Sequence, residues 1–356
     1  MKVTAEQALA FRLARHHLHE RTTPLEAAVV GLQDTPPGAA GTAFAARADG
    51  GPEAFGELLI LPSLRGAPMA IDPADQALFT EAIAPPDEEA AKAVVGNAWK
   101  PLERHTAMEA LDVASEAVRD ALANGPLVKT DFHRAITERV PEDLRWWCKG
   151  CGEHHVHPSL WRATGIRGVL AVVDRDGRTP VYGAPPPPPP IEDPGAELAR
   201  RFLGAYAPTR PKLLAEWAGI ATAHAMQLWE RAGDLQEVEL GGKKAWALAE
   251  DVEALTDSPR ARGARLLPSL DPLAGSKDRE LLAPDPELRK QIWKMLGGAG
   301  MVLADGALAG TWRPAKKGSR LVITVDAAGV REGELAAEAE RLAPLRGAQT
   351  AELATA

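Results

Sequence analysis

LQEVELGGKKAWALA, residues 235–249, carries the most informative fold signal in this chain. Its two strand-like halves flank the glycine pair 241–242, and a two-residue glycine turn between such runs predicts a β-hairpin. Segments with helical spacing precede it at 196–206, 211–218 and 221–232. Helix, helix, helix and hairpin is the order of elements in a winged helix, where two helices form a helix-turn-helix.

The same order of elements occurs earlier in the chain. Helical patterns lie at 107–124, 130–139 and 158–164. VLAVVDRDGRTPVYG, residues 169–183, then predicts a second hairpin with Asp176-Gly177 at its turn. The N-terminal region resembles a third such unit, with helical patterns at 5–20 and 24–32, a further helix beginning near Pro36, and a strand within 57–64. We therefore expect tandem winged-helix domains, the alternative being plain structural domains built from the same elements.

Strand patterns replace helical ones beyond Arg260. ARLLPSL, MVLAD, ALAGTWRPA and RLVITVD are separated by the turn pairs Asp305-Gly306 and Lys317-Gly318. These runs predict a C-terminal antiparallel β-sheet or small barrel, and a helix over 333–345 is expected to pack on it. The fold class is therefore predicted as α+β.

A proline run supplies the clearest boundary in the sequence. Pro185–Pro190 is six consecutive prolines, which favour a stiff spacer, although a surface loop would also tolerate them. The expected domains, in chain order, are a winged-helix-like domain at 1–105, a second winged helix at 106–184, a proline-rich linker at 185–194, a third winged helix at 195–257, a β-rich domain at 258–347 and a frayed tail at 348–356.

Composition excludes several classes of protein. Hydrophobic residues make up 45% and charged residues 25%, as in ordinary globular proteins. No apolar run is long enough to span a bilayer, and the start of the chain lacks a secretory pattern, so we expect a cytoplasmic protein with no membrane partner. No glycine-rich phosphate loop follows a strand, so no organic cofactor is expected.

Charge is distributed unevenly along the chain. The formal net charge is −8, which for the whole molecule counts against DNA binding. Residues 259–320, however, contain twelve Lys/Arg and six Asp/Glu, so this stretch carries +6 and the remainder −14. A local basic surface is therefore available for phosphate. The overall acidity leaves open that the winged helices form only protein contacts.

Blocks across almost the whole chain resemble a known family. They are GLQDTPPGAAGTAFAAR at 31–47, LPSLRGAPMAIDPADQALF at 61–79, RLLPSLDPLAGSKDRELLAPDPELRKQIW at 265–293 and LADGALAGTWR at 303–313. The chain thereby resembles the AlkZ-like DNA glycosylases, which include the bacterial YcaQ proteins, and the C-terminal blocks are the most specific. The resemblance implies tandem winged helices curved around a duplex, with damaged or alkylated double-stranded DNA as the partner.

The resemblance also implies catalytic positions. In active members, a Gly-Leu pair is followed by Gln, an aliphatic residue, and then Gln or Asp. In this sequence Gln33 matches the first of these positions. Asp34 replaces the aliphatic residue, and Thr35 stands at the position of the second catalytic residue. The implied reaction is monofunctional hydrolysis of the N-glycosidic bond of an alkylated base. Alternatively, Asp34 or Thr35 caps a helix with Pro36 in its first turn. The protein would then be an inactive DNA-binding regulator or a ligand-sequestering resistance protein.

Candidate DNA contacts lie in the resembling blocks, on a predicted recognition helix or beside strand turns. They are Arg65, His224, Gln227, Lys243, Lys277, Arg313, Lys316, Lys317 and Arg320. Polar side chains on a recognition helix can meet base edges, whereas basic residues at strand turns suit phosphate contacts. Internal ion pairs and solvated hairpin tips are the alternatives.

WWCKGCGEHHVHPSLW, residues 146–161, places two cysteines and three histidines within ten residues. Two thiolates in C-x-x-C spacing and two imidazoles satisfy the tetrahedral preference of zinc. The predicted ligands of a structural zinc are Cys148, Cys151, His154 and His157. A glycine-turned loop with solvent-facing histidines is the alternative, and the absence of a thioredoxin-like βαβ pattern disfavours a redox role.

Overall fold

The protein is described by a computed structural model that covers residues 1–100, 102, 104–294 and 297–355. The α-helices of these residues are, in chain order, α1 (Ala5–Arg15), α2 (Ala39–Arg47), α3 (Pro52–Phe55), α4 (Gln76–Phe79), α5 (Glu88–Val95), α6 (Ala107–Leu122), α7 (Lys129–Arg139), α8 (Pro158–Ala163), α9 (Pro194–Tyr206), α10 (Pro211–Ala218), α11 (Thr222–Glu230), α12 (Pro286–Ile292) and α13 (Glu332–Leu345). Several begin with proline, which lacks the N–H that a first turn leaves unpaired.

The β-strands are interspersed with these helices. They are β1 (Lys2–Val3), β2 (Leu32–Gln33), β3 (Leu59–Pro62), β4 (Pro68–Ile71), β5 (Leu127–Val128), β6 (Arg145–Cys148), β7 (Glu153–Val156), β8 (Ala171–Asp176), β9 (Thr179–Gly183), β10 (Leu235–Leu240), β11 (Lys243–Leu248), β12 (Ala264–Leu267), β13 (Gly300–Ala304), β14 (Ala307–Lys317), β15 (Arg320–Ala327) and β16 (Thr350–Thr355). The mixed α and β class is as expected from the sequence.

The chain forms two compact units, each assembled from separate segments. Unit 1 contains residues 1–58, 200–213 and 233–356, and unit 2 contains residues 59–199 and 214–232. Pro185–Pro190 has no regular secondary structure and lies within the span of unit 2. The two units cut across the domains predicted from the sequence, and those domains remain a prediction.

The C-terminal part of unit 1 is a five-stranded sheet in the order β12-β13-β14-β15-β16. The first three pairings are antiparallel, whereas β16 lies parallel to β15, with Arg320 opposite Thr350. The β-structure and the terminal helix are present as expected. The tail is not frayed, because residues 350–355 form an edge strand, and the predicted frayed tail is therefore wrong. A short strand that lies next to its partner only in the folded chain carries no strong local signal.

Helix α13 covers one face of that sheet because its apolar residues recur at helical spacing. Leu335, Ala339 and Leu342 are buried, at positions i, i+4 and i+7. They belong to a core that also contains Trp312 and Ile323 from neighbouring strands. Full burial of each large aliphatic side chain contributes about 1.5–3 kcal/mol.

The hairpin predicted at 235–249 forms within unit 1, between β10 and β11. Leu240 pairs with Lys243 across the turn, and both turn glycines have positive φ, 58° at Gly241 and 76° at Gly242. This is the backbone that a two-residue hairpin of matching twist requires, and glycine adopts it without strain. Strand β1 adds to β10 in parallel. Helices α9, α10 and α11 precede the hairpin, as expected, and the winged-helix interpretation of this string stays a prediction.

In unit 2 the strands pair in the order β4-β3-β8-β9-β5. Helices α6, α7 and α8 and the hairpin β8–β9 lie where the sequence predicts them, with Gly177 at φ 60° in the turn. A second, two-stranded hairpin, β6–β7, separates α7 from α8 and was not predicted.

Two predictions for the N-terminal region are wrong. The helix predicted at 24–32 does not form, because this range contains a short 3₁₀ turn at Glu26–Ala28 and Leu32 already begins β2. The next helix begins at Ala39 rather than near Pro36, because Gly38 at φ 90° stands between the proline pair and the first helical residue.

Candidate nucleic-acid interface

The candidate catalytic segment connects β2 to α2 in unit 1. Asp34 is buried, and its Oδ1 accepts hydrogen bonds from the backbone N–H of Gly38 at 2.7 Å and of Ala40 at 3.1 Å. Helix N-termini leave backbone N–H groups without intrahelical partners, and a carboxylate satisfies them while favouring the positive end of the helix dipole. Asp34 therefore caps α2 from outside the helix, because Gly38 occupies the N-cap position itself. The alternative that the sequence left open, a cap with Pro36 in the first helical turn, does not form in that way, since the helix begins at Ala39.

The two neighbours of Asp34 lie in different surroundings. Gln33 is half-buried on β2, and Thr35 is exposed. Asp34, which alone among the three candidates carries a formal charge, thus binds N–H groups at the start of α2. Gln33 and Thr35 offer an amide and a hydroxyl, which can position a water molecule but carry no negative charge.

Helix α2 is buried along its whole length, and a buried ion pair anchors its last residue. Arg47 forms two parallel hydrogen bonds with Asp271, Nη1 to Oδ2 at 2.9 Å and Nη2 to Oδ1 at 2.6 Å. Their side chains are only 1% and 0% exposed. This bidentate geometry fixes the helix that Asp34 caps.

A large basic cavity occupies another part of unit 1. Its volume is about 1080 Å³, and it is lined by the start of the chain, the β10–β11 turn and the segment around α12. The basic lining residues are Arg210, Lys243, Lys244, Lys277, Arg279, Arg289 and Lys290, and the acidic ones are Asp278 and Glu280. The excess of positive charge makes this concave surface suited to a polyanion.

Contacts within the cavity further favour an anionic ligand. Asp278 pairs with Arg12 at 2.6 Å, and that guanidinium keeps the pKa of the carboxyl lowered despite burial. Its negative charge is thereby neutralised from within the protein. Arg279 lies over the ring of Trp293, 5.0 Å from the ring centre, so the cavity also offers a guanidinium held flat on an aromatic face.

Of the predicted DNA contacts, the structure brings Lys243 and Lys277 together in this cavity. The sequence missed Arg210, Lys244, Arg279, Arg289 and Lys290 as members of the same surface. The positive stretch at 259–320 signalled some of them, but Arg210 and Lys244 come from other segments. The stretch at 259–320, Arg210 and Lys244 come together only in the folded chain.

The candidates from unit 2 lie elsewhere. Arg65 has φ 58° and donates a hydrogen bond to the carbonyl of Trp217 near the end of α10, an internal contact like those that the sequence left open. His224 on α11 is buried, which counts against contact with a base edge, whereas Gln227 on the same helix is exposed. Spacing on a helix identifies a face, but the face that packs inward depends on the tertiary fold.

The remaining candidates lie on the hairpin β14–β15 of unit 1. Arg313, Lys316, Lys317 and Arg320 are all exposed. Arg320 pairs with Glu352 of β16 at 3.0 Å, and Arg313 donates to the carbonyl of Gly297 at 2.9 Å. The two lysines come directly before the turn, a position open to phosphate or to solvent.

Comparison with known proteins identifies the family. A family model described as DNA glycosylase AlkZ-like matches residues 27–345. The chain belongs to the AlkZ-like DNA glycosylase family. Among AlkZ-like relatives, an interstrand DNA cross-link repair glycosylase of Streptomyces sahachiroi is 31% identical over 140 residues, which are 37% of this chain and 37% of that protein. The solved structure of the Streptomyces sahachiroi DNA glycosylase AlkZ matches with a TM-score of 0.73 and 20% identity over 100% of both chains, so the fold is shared.

This AlkZ-like chain also carries the Cys/His cluster, in unit 2. Candidate ligand atoms of Cys148, Cys151 and His155 lie within 4.8 Å of one another, so the thiols gather as predicted but the histidine is a different one. His154 packs on Trp147 at 5.1 Å between ring centres. The Nδ1 of His157 accepts a hydrogen bond from the backbone N–H of Ser159 at 3.1 Å, which caps α8.

Strand alternation explains the change of histidine. Cys148 pairs with Glu153 and Trp146 with His155, so Cys148 and His155 lie on one face of the hairpin β6–β7. His154 lies on the other face, opposite Trp147. Hydrogen bonds from the backbone N–H of Cys151 and from His155 lower the pKa of the Cys148 thiol to about 7. The hydrogen bond with Cys148 in turn raises the pKa of Cys151.

No helix among the described residues of this AlkZ-like protein is long and apolar enough to cross a membrane.

Proposed function

We propose that this protein binds damaged double-stranded DNA through the basic cavity of unit 1 and releases an alkylated base by hydrolysis of its N-glycosidic bond. The observation that carries the proposal is the excess of basic over acidic side chains around one concave surface in a chain of the AlkZ-like DNA glycosylase family. A relative whose name is interstrand DNA cross-link repair glycosylase supports an alkylated or cross-linked lesion as the substrate.

The chemistry asks little of the protein. An alkylated purine carries positive charge and leaves with the electron pair of the C1′–N bond, which neutralises it. Water then bonds to C1′ of the sugar and gives up a proton to solvent. The protein needs mainly to hold that water and to stabilise charge developing on the sugar.

Gln33 is the residue we assign to the water. Its position matches the family motif, and its amide oxygen accepts a hydrogen bond from water while its N–H₂ donates one. Thr35 is exposed and adds a hydroxyl where active members carry Gln or Asp. Asp34 supports the site through the start of α2, because its Oδ1 accepts hydrogen bonds from two backbone N–H groups there.

A second candidate function is recognition of damaged DNA without base release. Thr35 favours it, because this residue puts no carboxylate at the position of the second catalytic residue. The carboxylate of the neighbouring Asp34 binds two N–H groups at the start of α2 instead. Tandem winged helices, if present as the sequence predicts, would serve both functions equally, because phosphate contacts position a protein on a duplex without chemistry.

Formation of abasic sites in a duplex that carries N7-alkylguanine separates the two functions. We expect release by the wild type, loss of release in Gln33→Ala, and a partial loss in Thr35→Ala. Duplex affinity is measured on the same preparations. Tight binding without any release by the wild type would contradict the glycosylase assignment and support the second function.

A further inference from the structure

The turn between β6 and β7 brings the sulfur atoms of Cys148 and Cys151 together. A Cβ at Gly150 would lie 3.9 Å from the sulfur of Cys148, so the backbone of the turn passes close to that thiol. Gly152 donates from its N–H to the carbonyl of Cys148 at 2.8 Å and has φ 71°, a conformation that glycine adopts without strain. Two thiols gathered in C-x-x-C spacing form one half of many zinc sites.

His155 completes the cluster from the facing strand. Its Nδ1 lies 2.9 Å from the carbonyl oxygen of Val156 and donates its proton there, so Nε2 is the ring nitrogen that a metal would bind. Histidines that bind metals are typically oriented by such a hydrogen bond from their other nitrogen. In a tetrahedral zinc site, bonds of about 2.0–2.3 Å set the ligand atoms roughly 3.4–3.8 Å apart. The three ligand atoms, already within 4.8 Å of one another, need to approach only slightly.

We propose that Cys148, Cys151 and His155 bind one Zn²⁺, with a water molecule as the fourth ligand. Cys151 is exposed, so solvent reaches the open position. Its three ligands belong to unit 2, whereas Gln33 and the residues that line the proposed DNA cavity belong to unit 1.

The hairpin gains stability from such an ion. Strands β6 and β7 form a sheet of only two strands, and an isolated two-stranded hairpin is marginally stable in water. A metal that joins the turn to the second strand closes the hairpin at its tip, where Trp147 is exposed. Binding of the ion is then coupled to order in this segment.

Zinc content of the full chain, purified under reducing conditions without a histidine tag, is the first test. We expect one zinc per chain in the wild type and loss of zinc in Cys151→Ser and His155→Gln. His154→Gln is the matched control, because this histidine precedes His155 directly but lies on the other face of the hairpin, and it should keep its zinc. Wild type without zinc after exposure to the metal, or equal loss in His154→Gln, would overturn the proposal.

Cobalt substitution in the wild type keeps the test independent of how the variants fold. A site with two thiolates and one imidazole should give a tetrahedral Co²⁺ spectrum with a thiolate-to-metal charge-transfer band. Zinc should also protect both cysteines from iodoacetamide. An octahedral spectrum, or a disulfide between Cys148 and Cys151 in the protein as isolated, would contradict the assignment.

Discussion

The buried Oδ1 of Asp34 accepts a hydrogen bond of 2.7 Å from the backbone N–H of Gly38. The backbone N–H of Ala40 donates to the same oxygen at 3.1 Å. The residue that stands in the middle of the family's catalytic motif therefore stabilises the start of α2. A catalytic role and a capping role would compete for the carboxylate of Asp34. The observed hydrogen bonds place its Oδ1 in the cap.

Asp34→Ala should lower the free energy of unfolding by about 2 kcal/mol, because a helix cap is lost and two backbone N–H groups lose their acceptor. Urea denaturation of the purified variant measures this loss. Thr35→Ala serves as the control, since an exposed side chain next to the cap should change stability by less than about 0.5 kcal/mol. Equal stability of Asp34→Ala and wild type would show that the carboxylate does not support the helix.

Arg47→Met should destabilise the protein by about 3–5 kcal/mol, because Asp271 would remain as an unpaired buried charge. The double variant Arg47→Met/Asp271→Leu should recover a large part of that loss. Thermal unfolding of the three proteins measures the coupling between the two residues. Arg119→Met is the comparison, as its pair with Glu116 is largely exposed and should contribute less than about 1 kcal/mol. A double variant that loses the sum of both single losses would argue against a direct pair.

His16 should make stability fall in acid. Burial, and then the positive charges of Arg47 and Arg12, hold its pKa well below 6.5. The unfolded chain therefore takes up a proton near pH 6.5 that the folded chain refuses. Stability from this group is complete above pH 6.5 and declines as the pH falls, by up to about 1.4 kcal/mol per pH unit.

Comparison with His16→Phe isolates that contribution from other titrating groups. Phenylalanine keeps a ring opposite Tyr206, whose centre lies 5.0 Å away, but does not titrate. The difference in unfolding free energy between wild type and variant should be constant above pH 6.5 and shift in favour of the variant below it. A difference that stays constant from pH 8 to pH 5 would mean that His16 is protonated equally in both states.

The local elements were predictable because their signals are local. The glycine pair at 241–242 requires the hairpin that forms there, and the apolar spacing of α13 gives the buried face that packs on the sheet. Edge strand β16 and the division into two units were not predictable, since both depend on partners far away in sequence.

The candidate sites divide in the same way. Cys148 and Cys151 meet because only two residues lie between them, whereas the choice of His155 over His154 depends on the register of a hairpin that was not predicted. His224 was predicted as a DNA contact from its place on a helix, but it is buried. Helical spacing identifies the face on which a residue lies and does not show whether that face is covered. Lys243 and Lys277 join one cavity only through folding.

The cavity of unit 1 makes a prediction about salt dependence. If it binds the phosphate backbone, Lys243→Ala and Arg279→Ala should each reduce the slope of log affinity against log salt concentration by about 0.9, because one fewer counterion is released per lost contact. The loss should be similar for duplexes of different sequence, since phosphate contacts carry no sequence information. Fluorescence anisotropy of a labelled duplex over a range of salt concentrations measures the slope.

Arg119→Ala removes the same charge outside the cavity and should leave the slope unchanged. If Lys316→Ala and Lys317→Ala reduced the slope while the cavity variants did not, the interface would lie on the β14–β15 hairpin instead.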